Sequence, residues 1–389
     1  MQLSKRMSRL GTETAFQVLA KAQALEAKGK DIVHLEIGEP DFDTPSHIRE
    51  AAKVALDKGA THYCNSKGLL SLRKQVAKEL KKSRGIPIDP ERIIVTPGAK
   101  PIMFYTMLAL LQRGDEAVFP SPLYPIYESM VNFSGAKAVP VRLREELGFR
   151  FDIDEFKSKI TPCTKLIILN SPHNPTGGVL EEEDVRAVAE IAQERNILVF
   201  SDEVYEYILY EGKHVSIITF PGMQDKTILL SGFSKTYAMT GWRMGYAYMP
   251  PELVEPVVRL IANSVSCTAP FIQYAGIEAL AGPQDSVPKM VEEFKKRRDL
   301  IVNGLNAIPE ISCVRPKGAF YVFPNVKKLG IDCNKLADYL LYEGGVAVLP
   351  GTHFGKLGDG YLRLSYANSQ ENIRKALDRI RVAIAKLVK

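Results

Sequence analysis

Cysteines and long hydrophobic runs are scarce in this 389-residue sequence. Its five cysteines lie far apart and form no C-x-x-C pair, which argues against a disulfide framework and a cysteine zinc site. The longest nearly apolar run, Ile102–Leu111, has ten residues, whereas a membrane span needs about 20. The N-terminus carries Lys5, Arg6 and Arg9 without the continuous apolar stretch of a secretory signal. We therefore expect a cytoplasmic protein with reduced thiols and no membrane partner.

An excess of one charge sign is also missing. There are 51 Lys and Arg against 45 Asp and Glu, a net charge of +6, and the basic residues are scattered along the chain. Such a mild, diffuse excess suits anionic small molecules and does not indicate nucleic-acid binding. No G-x-x-x-x-G-K-[ST], H-E-x-x-H or G-x-S-x-G motif occurs, which argues against nucleotidase, metalloprotease and hydrolase activities.

Short apolar segments rich in β-formers alternate with longer segments of helical period. The predicted strands are Ile93–Thr96, Ala117–Phe119, Leu166–Asn170, Ile197–Ser201 and Thr227–Leu230, with helical stretches such as Glu183–Arg195 between them. This alternation predicts βαβ units, and hence an α/β protein with a largely parallel sheet.

Two interruptions suggest domain boundaries. An extended acidic turn lies at Pro40–Pro45, and the Gly282–Pro288 region precedes a charged helix that opens at Glu292–Arg298. We predict a large domain over residues 46–285 and a smaller α+β domain made from residues 1–45 together with 286–389.

Three predicted strands end in conspicuous polar sequences. Leu166–Asn170 is followed by S-P-H-N-P-T-G, Ile197–Ser201 by D-E-V-Y, and Thr227–Leu230 by S-G-F-S-K-T. In open parallel sheets, ligands bind at the carboxyl ends of the strands. One pocket is therefore expected to gather these polar residues.

Five motifs follow one another along the chain. They are G-E-P-D-F-D-T-P (38–45), N-S-P-H-N-P-T-G-G (170–178), S-D-E-V-Y (201–205), S-G-F-S-K-T-Y-A-M-T-G-W-R-M-G-Y (231–246) and R-L-S-Y-A (363–367). In order and spacing they resemble the class I aminotransferases, which use pyridoxal phosphate. The resemblance implies fold type I of the pyridoxal phosphate enzymes, with a mainly parallel seven-stranded sheet in the large domain and no metal.

The resemblance implies three catalytic residues, Lys235, Asp202 and Tyr205. Lys235 would form the Schiff base with the cofactor and move a proton between two carbons once substrate displaces it. On residue type alone, a solvated lysine is the commoner case. Asp202 would keep the pyridine nitrogen protonated, although a strand-end Asp more often caps a helix. Tyr205 and Asn174 would both donate a hydrogen bond to the phenolic oxygen of the cofactor. The N-P-T-G sequence also predicts a turn at Asn174.

The same resemblance implies the contacts with the cofactor phosphate. They would come from the Arg243 guanidinium, the Ser234 hydroxyl and the backbone donors at the start of a helix, Gly98, Ala99 and Lys100. Gly232 departs from the pattern, because some members of the family carry a serine there.

Two tyrosines complete the implied cofactor site. Tyr124 matches the aromatic residue that stacks on the pyridine ring. Tyr63 resembles the tyrosine that reaches the phosphate from the neighbouring subunit, which implies a homodimer with shared active sites. Without the family context, both could equally be packing residues.

The substrate would be held through its carboxylates. The resemblance assigns the α-carboxylate to Arg363, with Gly38 and Asn174 close to it. Lys100 resembles the lysine that certain aspartate or prephenate transaminases use for the distal carboxylate. We therefore predict a ping-pong aminotransferase that exchanges an amino group between an amino acid, with aspartate or glutamate favoured, and a 2-oxo acid.

Two alternatives stay open. An aromatic amino acid is the second candidate donor, because Pro101 and the N-terminal sequence Thr12-Glu13-Thr14-Ala15 differ from the patterns associated with acidic donors. The same scaffold also supports carbon–sulfur lyases and an elimination that closes a cyclopropane ring, since a fold does not fix a reaction.

Overall fold

A computed structural model describes residues 3–12 and 14–387. The α-helices are α1 Ala15–Glu26, α2 Ser46–Asp57, α3 Leu70–Arg84, α4 Lys100–Leu110, α5 Ile126–Ser134, α6 Ile153–Ser158, α7 Glu182–Glu194, α8 Pro251–Ala262, α9 Pro270–Ala281, α10 Ser286–Asn306, α11 Cys333–Tyr342 and α12 Gln370–Leu387. The strands are β1 Val33–His34, β2 Ile93–Thr96, β3 Glu116–Ser121, β4 Lys137–Arg144, β5 Arg150–Phe151, β6 Thr164–Asn170, β7 Leu198–Asp202, β8 Thr227–Gly232, β9 Gly245–Tyr248, β10 Tyr321–Val322, β11 Val346–Ala347, β12 Leu349–Pro350 and β13 Leu362–Ser365.

A large mixed sheet forms the centre of the molecule. Its strand order is β2-β9-β8-β7-β6-β3-β4-β5. The pairs β8–β7, β7–β6, β6–β3 and β3–β4 are parallel, whereas β9 runs antiparallel to both of its neighbours. The family resemblance implies seven strands, and the structure adds an eighth, the two-residue β5, at the edge beside β4.

Helices cover both faces of this sheet, as its apolar sequence predicts. On β6, Ile168 packs in a core cluster with α4, α5 and α8, whereas the neighbouring Ile167 packs in a cluster with α1 and α7. A further cluster joins α2, α3 and α9 to the β2 end of the sheet. Alternate residues of one strand thus enter different cores, because successive side chains of a strand point to opposite faces.

A smaller α+β region lies beside the sheet. Strands β10, β13 and β12 form an antiparallel sheet, and β1 pairs in parallel with β11. Helices α10, α11 and α12 pack with β1, β10, β11 and β13 in one apolar core. The predicted domain limits at 45/46 and 285/286 stay predictions, and residues 1, 2, 13, 388 and 389 of the predicted small domain lie outside the described residues.

The five predicted strands correspond to β2, β3, β6, β7 and β8, with ends that differ by no more than two residues. Differences of this size are ordinary at element boundaries. The antiparallel strand β9 was not among the predicted strands, because G-Y-A-Y is too short to show a period. Within the described residues, no helix is both long enough and apolar enough to cross a bilayer.

Candidate active site

A cavity of about 760 Å³ lies where the polar ends of β6, β7 and β8 meet α1, α4 and the smaller sheet. Parallel strands bring their carboxyl ends to one edge, which is why three distant polar sequences converge there. Most of the predicted site residues line this cavity, namely Gly38, Ala99, Lys100, Tyr124, Asn174, Asp202, Tyr205, Ser234, Lys235, Arg243 and Arg363. Gly98 lies next to this group, and Tyr63 lies apart from it.

Asp202 is the last residue of β7 and is buried. The hydroxyl of Tyr127 donates to its Oδ2 at 2.6 Å, and the backbone N–H of Val204 donates to its Oδ1 at 3.3 Å. Burial raises the pKa of the Asp202 carboxyl to about 6, although both hydrogen bonds and the Lys235 charge act in the opposite direction. Asp202 is not a helix N-cap here, because a turn and no helix follows it.

Lys235 lies in the turn that follows β8 and faces the cavity. Its ammonium donates to the carbonyl oxygen of Gly38 at 2.6 Å. The same ammonium lies 5.9 Å from the ring centroid of Tyr205 and 5.8 Å from that of Phe320. A primary amine therefore stands in the cavity between residues of the large sheet and the smaller region.

Tyr205 and Asn174 are both buried against the cavity. The Tyr205 hydroxyl is hydrogen-bonded to the hydroxyl of Tyr321 at 2.8 Å, and burial raises the pKa of Tyr205 well above its ordinary value. The backbone N–H of Asn174 donates to Oδ1 of Asn170 at 2.9 Å. The Oδ1 of Asn174 is buried and has no hydrogen-bond partner among the described residues.

Arg243, Gly98 and the start of α4 form the other end of the cavity. Gly98 adopts φ +89°, and a Cβ at this position would collide with the Arg243 guanidinium. Arg243 itself has φ +52° and donates to the carbonyl oxygen of Thr240 at 2.7 Å. A guanidinium beside a helix N-terminus is a chemical environment suited to a phosphate.

Arg363 lies on β13 and is only 3% exposed, so it is not the surface residue that its type alone allows. Its guanidinium lies 4.7 Å from the ring centroid of Tyr321 and 5.3 Å from that of Phe354, and it donates to the carbonyl oxygen of Glu36. A side chain at Gly38 would collide with the Tyr321 hydroxyl. Gly38 therefore lies in close contact with Tyr321, and its predicted approach to the substrate carboxylate stays a prediction.

Lys100 and Tyr124 stand together on the cavity wall. The Lys100 ammonium lies 5.9 Å from the ring centroid of Tyr124 and 5.9 Å from that of Phe16 on α1. Lys100 also begins α4. A cation thus faces an otherwise largely apolar part of the cavity.

Tyr63 does not line the cavity of its own chain. Its side chain is 89% exposed in the single subunit. Its predicted contact with the phosphate of a neighbouring subunit stays a prediction.

Sequence reasoning missed Tyr127 and Tyr321. Tyr127 follows Tyr124 by three residues at the start of α5, and this spacing could have indicated two tyrosines facing the same site. Tyr321 lies in the apolar sequence A-F-Y-V, which resembles an ordinary core strand. Its pairing with the strand that carries Arg363 was not visible in the sequence.

Behind the site, Glu203, Glu206 and His214 are close enough together to hold a metal ion. Arg84 donates to both carboxylates, and His214 is bonded to Glu203 at 2.9 Å. Burial opposes ionisation of Glu203, but the charges of Arg84 and His214 outweigh it and lower its pKa to about 2. The cluster is therefore an internal ion-pair network with its own cation.

The chemistry of the cavity fits pyridoxal phosphate. It combines a buried carboxylate, a primary amine and a guanidinium at a helix start, which match a pyridine nitrogen, an aldehyde and a phosphate. The backbone of Gly98 leaves room beside Arg243 that a Cβ would fill, and Asn174, whose buried Oδ1 has no partner among the described residues, lines the same cavity.

Comparisons with known proteins agree with this chemistry. The family model described as "Aminotransferase class I and II" matches residues 30–380. The chain is 41% identical over 384 residues to aromatic-amino-acid aminotransferase 2 of Thermococcus litoralis, covering 98% of this chain and 97% of the relative. It is 43% identical over 361 residues to the aspartate aminotransferase of Pyrococcus horikoshii, covering 92% of each.

Solved structures lead to the same family. The aspartate aminotransferase of Thermus thermophilus with maleate superposes with a TM-score of 0.95 at 40% identity, covering 98% of this chain and 100% of that one. An aromatic aminotransferase of Pyrococcus horikoshii gives a TM-score of 0.90 at 42% identity, covering 95% and 99%. The chain therefore belongs to the class I and II aminotransferases and is a pyridoxal-phosphate-dependent transaminase of fold type I.

Proposed function

We propose that the protein transfers the amino group of aspartate or glutamate to a 2-oxo acid. The observation that carries this proposal is that Arg363 and Lys100 line the cavity in addition to Lys235 and Arg243, which are assigned to the cofactor. An acidic amino acid has two carboxylates, and charge-assisted pairs with both would distinguish it from neutral donors. Relatives named aspartate aminotransferase support this choice.

In the proposed site, Asp202 would pair with the pyridine nitrogen, while Tyr205 and Asn174 would donate to the phenolic oxygen. Tyr124 would stack on the ring. Arg243, Ser234 and the backbone from Gly98 to Lys100 would hold the phosphate. When bound, the cofactor supplies an electron sink for the charge left on the substrate α-carbon.

The protein's own groups would perform the proton transfer. Lys235 Nζ is the candidate base that accepts the substrate α-proton and returns it to the other carbon. Its position near the Gly38 carbonyl, at 2.6 Å, places the amine at the border between the large sheet and the Arg363 side of the cavity. Arg363 would fix the α-carboxylate, so that the α-hydrogen is presented to Lys235.

An aromatic donor is the second candidate, and a specific observation favours it. Phe16, Leu19, Ile37, Met103 and Tyr124 line the same cavity and make part of its wall apolar. Such a wall suits a ring. The relative from Thermococcus litoralis is named an aromatic-amino-acid aminotransferase.

A panel of amino donors with 2-oxoglutarate tests these candidates. We expect the highest kcat/KM with an acidic donor, measured by formation of the donor's 2-oxo acid. Glutamate is tested separately with oxaloacetate as acceptor. Higher values for phenylalanine and tyrosine would select the aromatic donor. Ammonia or pyruvate released from a thioether amino acid, without any need for a 2-oxo acid, would indicate the lyase.

We further propose a homodimer in which Tyr63 completes the phosphate site of the partner. The exposure of its ring in the single chain supports this proposal. Mixing inactive Lys235→Ala subunits with Tyr63→Phe subunits should restore activity in hybrid sites that combine intact Tyr63 and intact Lys235. Demonstrated subunit exchange without complementation would contradict the contact. A cytoplasmic location stays a prediction.

A further inference from the structure

Tyr321 is a buried tyrosine of the cavity to which the family motifs assigned no role. It lies on β10, is 1% exposed, and lines the cavity. Its hydroxyl is 2.8 Å from the hydroxyl of Tyr205, and the two rings meet edge to face with centroids 5.8 Å apart. Tyr321 therefore contacts, through a hydrogen bond, a residue that would touch the cofactor.

The ring of Tyr321 also contacts the side of the cavity that would hold the substrate. The Arg363 guanidinium lies over this ring, 4.7 Å from its centroid. The Tyr321 hydroxyl fills the space that a side chain at Gly38 would need, and the Gly38 carbonyl accepts the hydrogen bond from Lys235. One side chain thus touches neighbours in both halves of the site.

We propose that Tyr321 is a positioning residue with two separable actions: its hydroxyl strengthens Tyr205 as a hydrogen-bond donor, and its ring orients Arg363 for the substrate α-carboxylate. This inference rests on the roles proposed above for Tyr205 and Arg363.

The hydroxyl action follows from donor counting. A tyrosine has one O–H donor. If Tyr205 donates its proton to the cofactor's phenolic oxygen, the proton in the Tyr205–Tyr321 bond must come from Tyr321. Hydrogen bonds in such a chain strengthen one another by roughly 10–30% per bond. Tyr321 should therefore make Tyr205 a better donor and help it to stabilise the phenolate.

Tyr205 should remain protonated over the working range of pH. Burial is the largest cause that raises the pKa of Tyr205 well above its ordinary value. Asp202 also raises this pKa, whereas Arg363 lowers it. The Lys235 ammonium faces the Tyr205 ring at 5.9 Å. A pH-dependent change in the visible spectrum would then report proton gain at the Lys235 nitrogen and not ionisation of Tyr205.

The first experiment is a spectral titration of Tyr321→Phe reconstituted with pyridoxal phosphate. A weaker donor at the phenolic oxygen raises the pH midpoint of the visible absorption change. We expect the pH midpoint of Tyr321→Phe to rise. The rise should be about 10–30% or more of the rise that Tyr205→Phe produces. Tyr366→Phe is the matched control, because Tyr366 is fully buried in the same core, donates to Ala319 at 3.1 Å and does not line the cavity. Its midpoint should equal that of the parent.

The second experiment tests the ring. Tyr321→Leu removes the ring under Arg363 and should raise the KM for L-aspartate and for L-phenylalanine by the same factor, about two- to thirtyfold. The factor should be equal because the two donors share the α-carboxylate. Tyr321→Phe keeps the ring and should leave both KM values within about twofold. Circular dichroism and cofactor content identify any variant that fails to fold.

The outcomes separate this inference from the proposed function. An unchanged midpoint in Tyr321→Phe, beside a clear shift in Tyr205→Phe, overturns the hydroxyl action and leaves the role of Tyr205 intact. An unchanged midpoint in Tyr205→Phe overturns the proposed contact of Tyr205 and the hydroxyl action together. Unchanged KM values in folded Tyr321→Leu overturn the ring action. The titration needs no substrate, so a different preferred donor does not affect it.

Discussion

The large sheet and the smaller sheet contribute to the cavity in different ways. The large sheet presents Asp202 and Lys235 at the ends of neighbouring parallel strands, next to motifs that are continuous in sequence. The smaller sheet presents Arg363 and Tyr321 from two paired antiparallel strands about 40 residues apart. The first set has the groups that we propose hold and activate the cofactor, and the second has the cation that we propose binds a substrate carboxylate. This contrast suggests that changes on the large sheet affect mainly kcat, whereas changes on the smaller side affect mainly KM.

The largest effect is expected from Lys235→Ala, on the large-sheet side. The variant lacks the amine that we propose moves the α-proton, so kcat should fall by roughly 10⁴-fold. The purified variant should also lack the visible band of the covalently bound cofactor. A borohydride-stable lysine–cofactor adduct that persisted in the site would assign the role to another lysine.

Asp202→Asn should lower kcat by about 10²- to 10³-fold, because the buried charge that keeps the pyridine nitrogen protonated is lost. The KM of the donor should change much less. Steady-state kinetics at saturating cofactor measure both. A near-normal kcat would remove Asp202 from the mechanism.

The same substitution predicts a pH effect on the stability of the cofactor-free protein. Because the folded pKa of Asp202, about 6, lies above its ordinary value of 3.8, its contribution is favourable at low pH and is lost as the pH rises from about 4 through 6. The difference corresponds to about 3 kcal/mol. Cofactor-free Asp202→Asn should therefore be more stable than the parent at pH 8, with the advantage vanishing near pH 4. Urea unfolding at the two pH values checks the sign.

On the smaller-sheet side, Arg363→Leu should reduce kcat/KM by about ten- to a hundredfold for every amino donor, because each donor carries an α-carboxylate. Most of the loss should be in KM. Arg363→Lys is an informative second variant to compare with Arg363→Leu, since it keeps the positive charge but not the bidentate guanidinium. A loss confined to kcat would contradict the expectation that changes on the smaller sheet affect mainly KM.

The most selective effect, confined to acidic donors, is expected from Lys100→Met. It should lower kcat/KM for aspartate by about ten- to a hundredfold and leave phenylalanine nearly unchanged. The alternative is that Lys100 only adds positive charge near the phosphate, in which case all donors would lose activity together. Comparison of an acidic and an aromatic donor at saturating cofactor separates the two. A uniform loss, or none, would favour the aromatic donor.

The sequence was most informative where strand and motif are continuous. S-D-E-V-Y and S-G-F-S-K-T end buried parallel strands, so their polar residues had to meet at one edge of the sheet. It was least informative about residues whose partners come from elsewhere in the chain. Tyr127 reaches Asp202 across 75 positions, and Tyr321 reaches Tyr205 across 116. Residues that are this far apart in the sequence form no local pattern that would indicate their contact.

The sequence by itself determined the α/β class, the cofactor chemistry and the order of the strand ends that form the site. Hydrophobic periodicity is a local property and is sufficient for the class and the strand ends, whereas the cofactor follows from the resemblance of the motifs to the class I aminotransferases. Only the tertiary structure decided that Arg363 is buried over Tyr321 and that Lys100 shares its cavity. These facts depend on how the smaller sheet and α1 pack against the large sheet, and packing between distant segments is fixed by the whole core rather than by any one stretch of sequence.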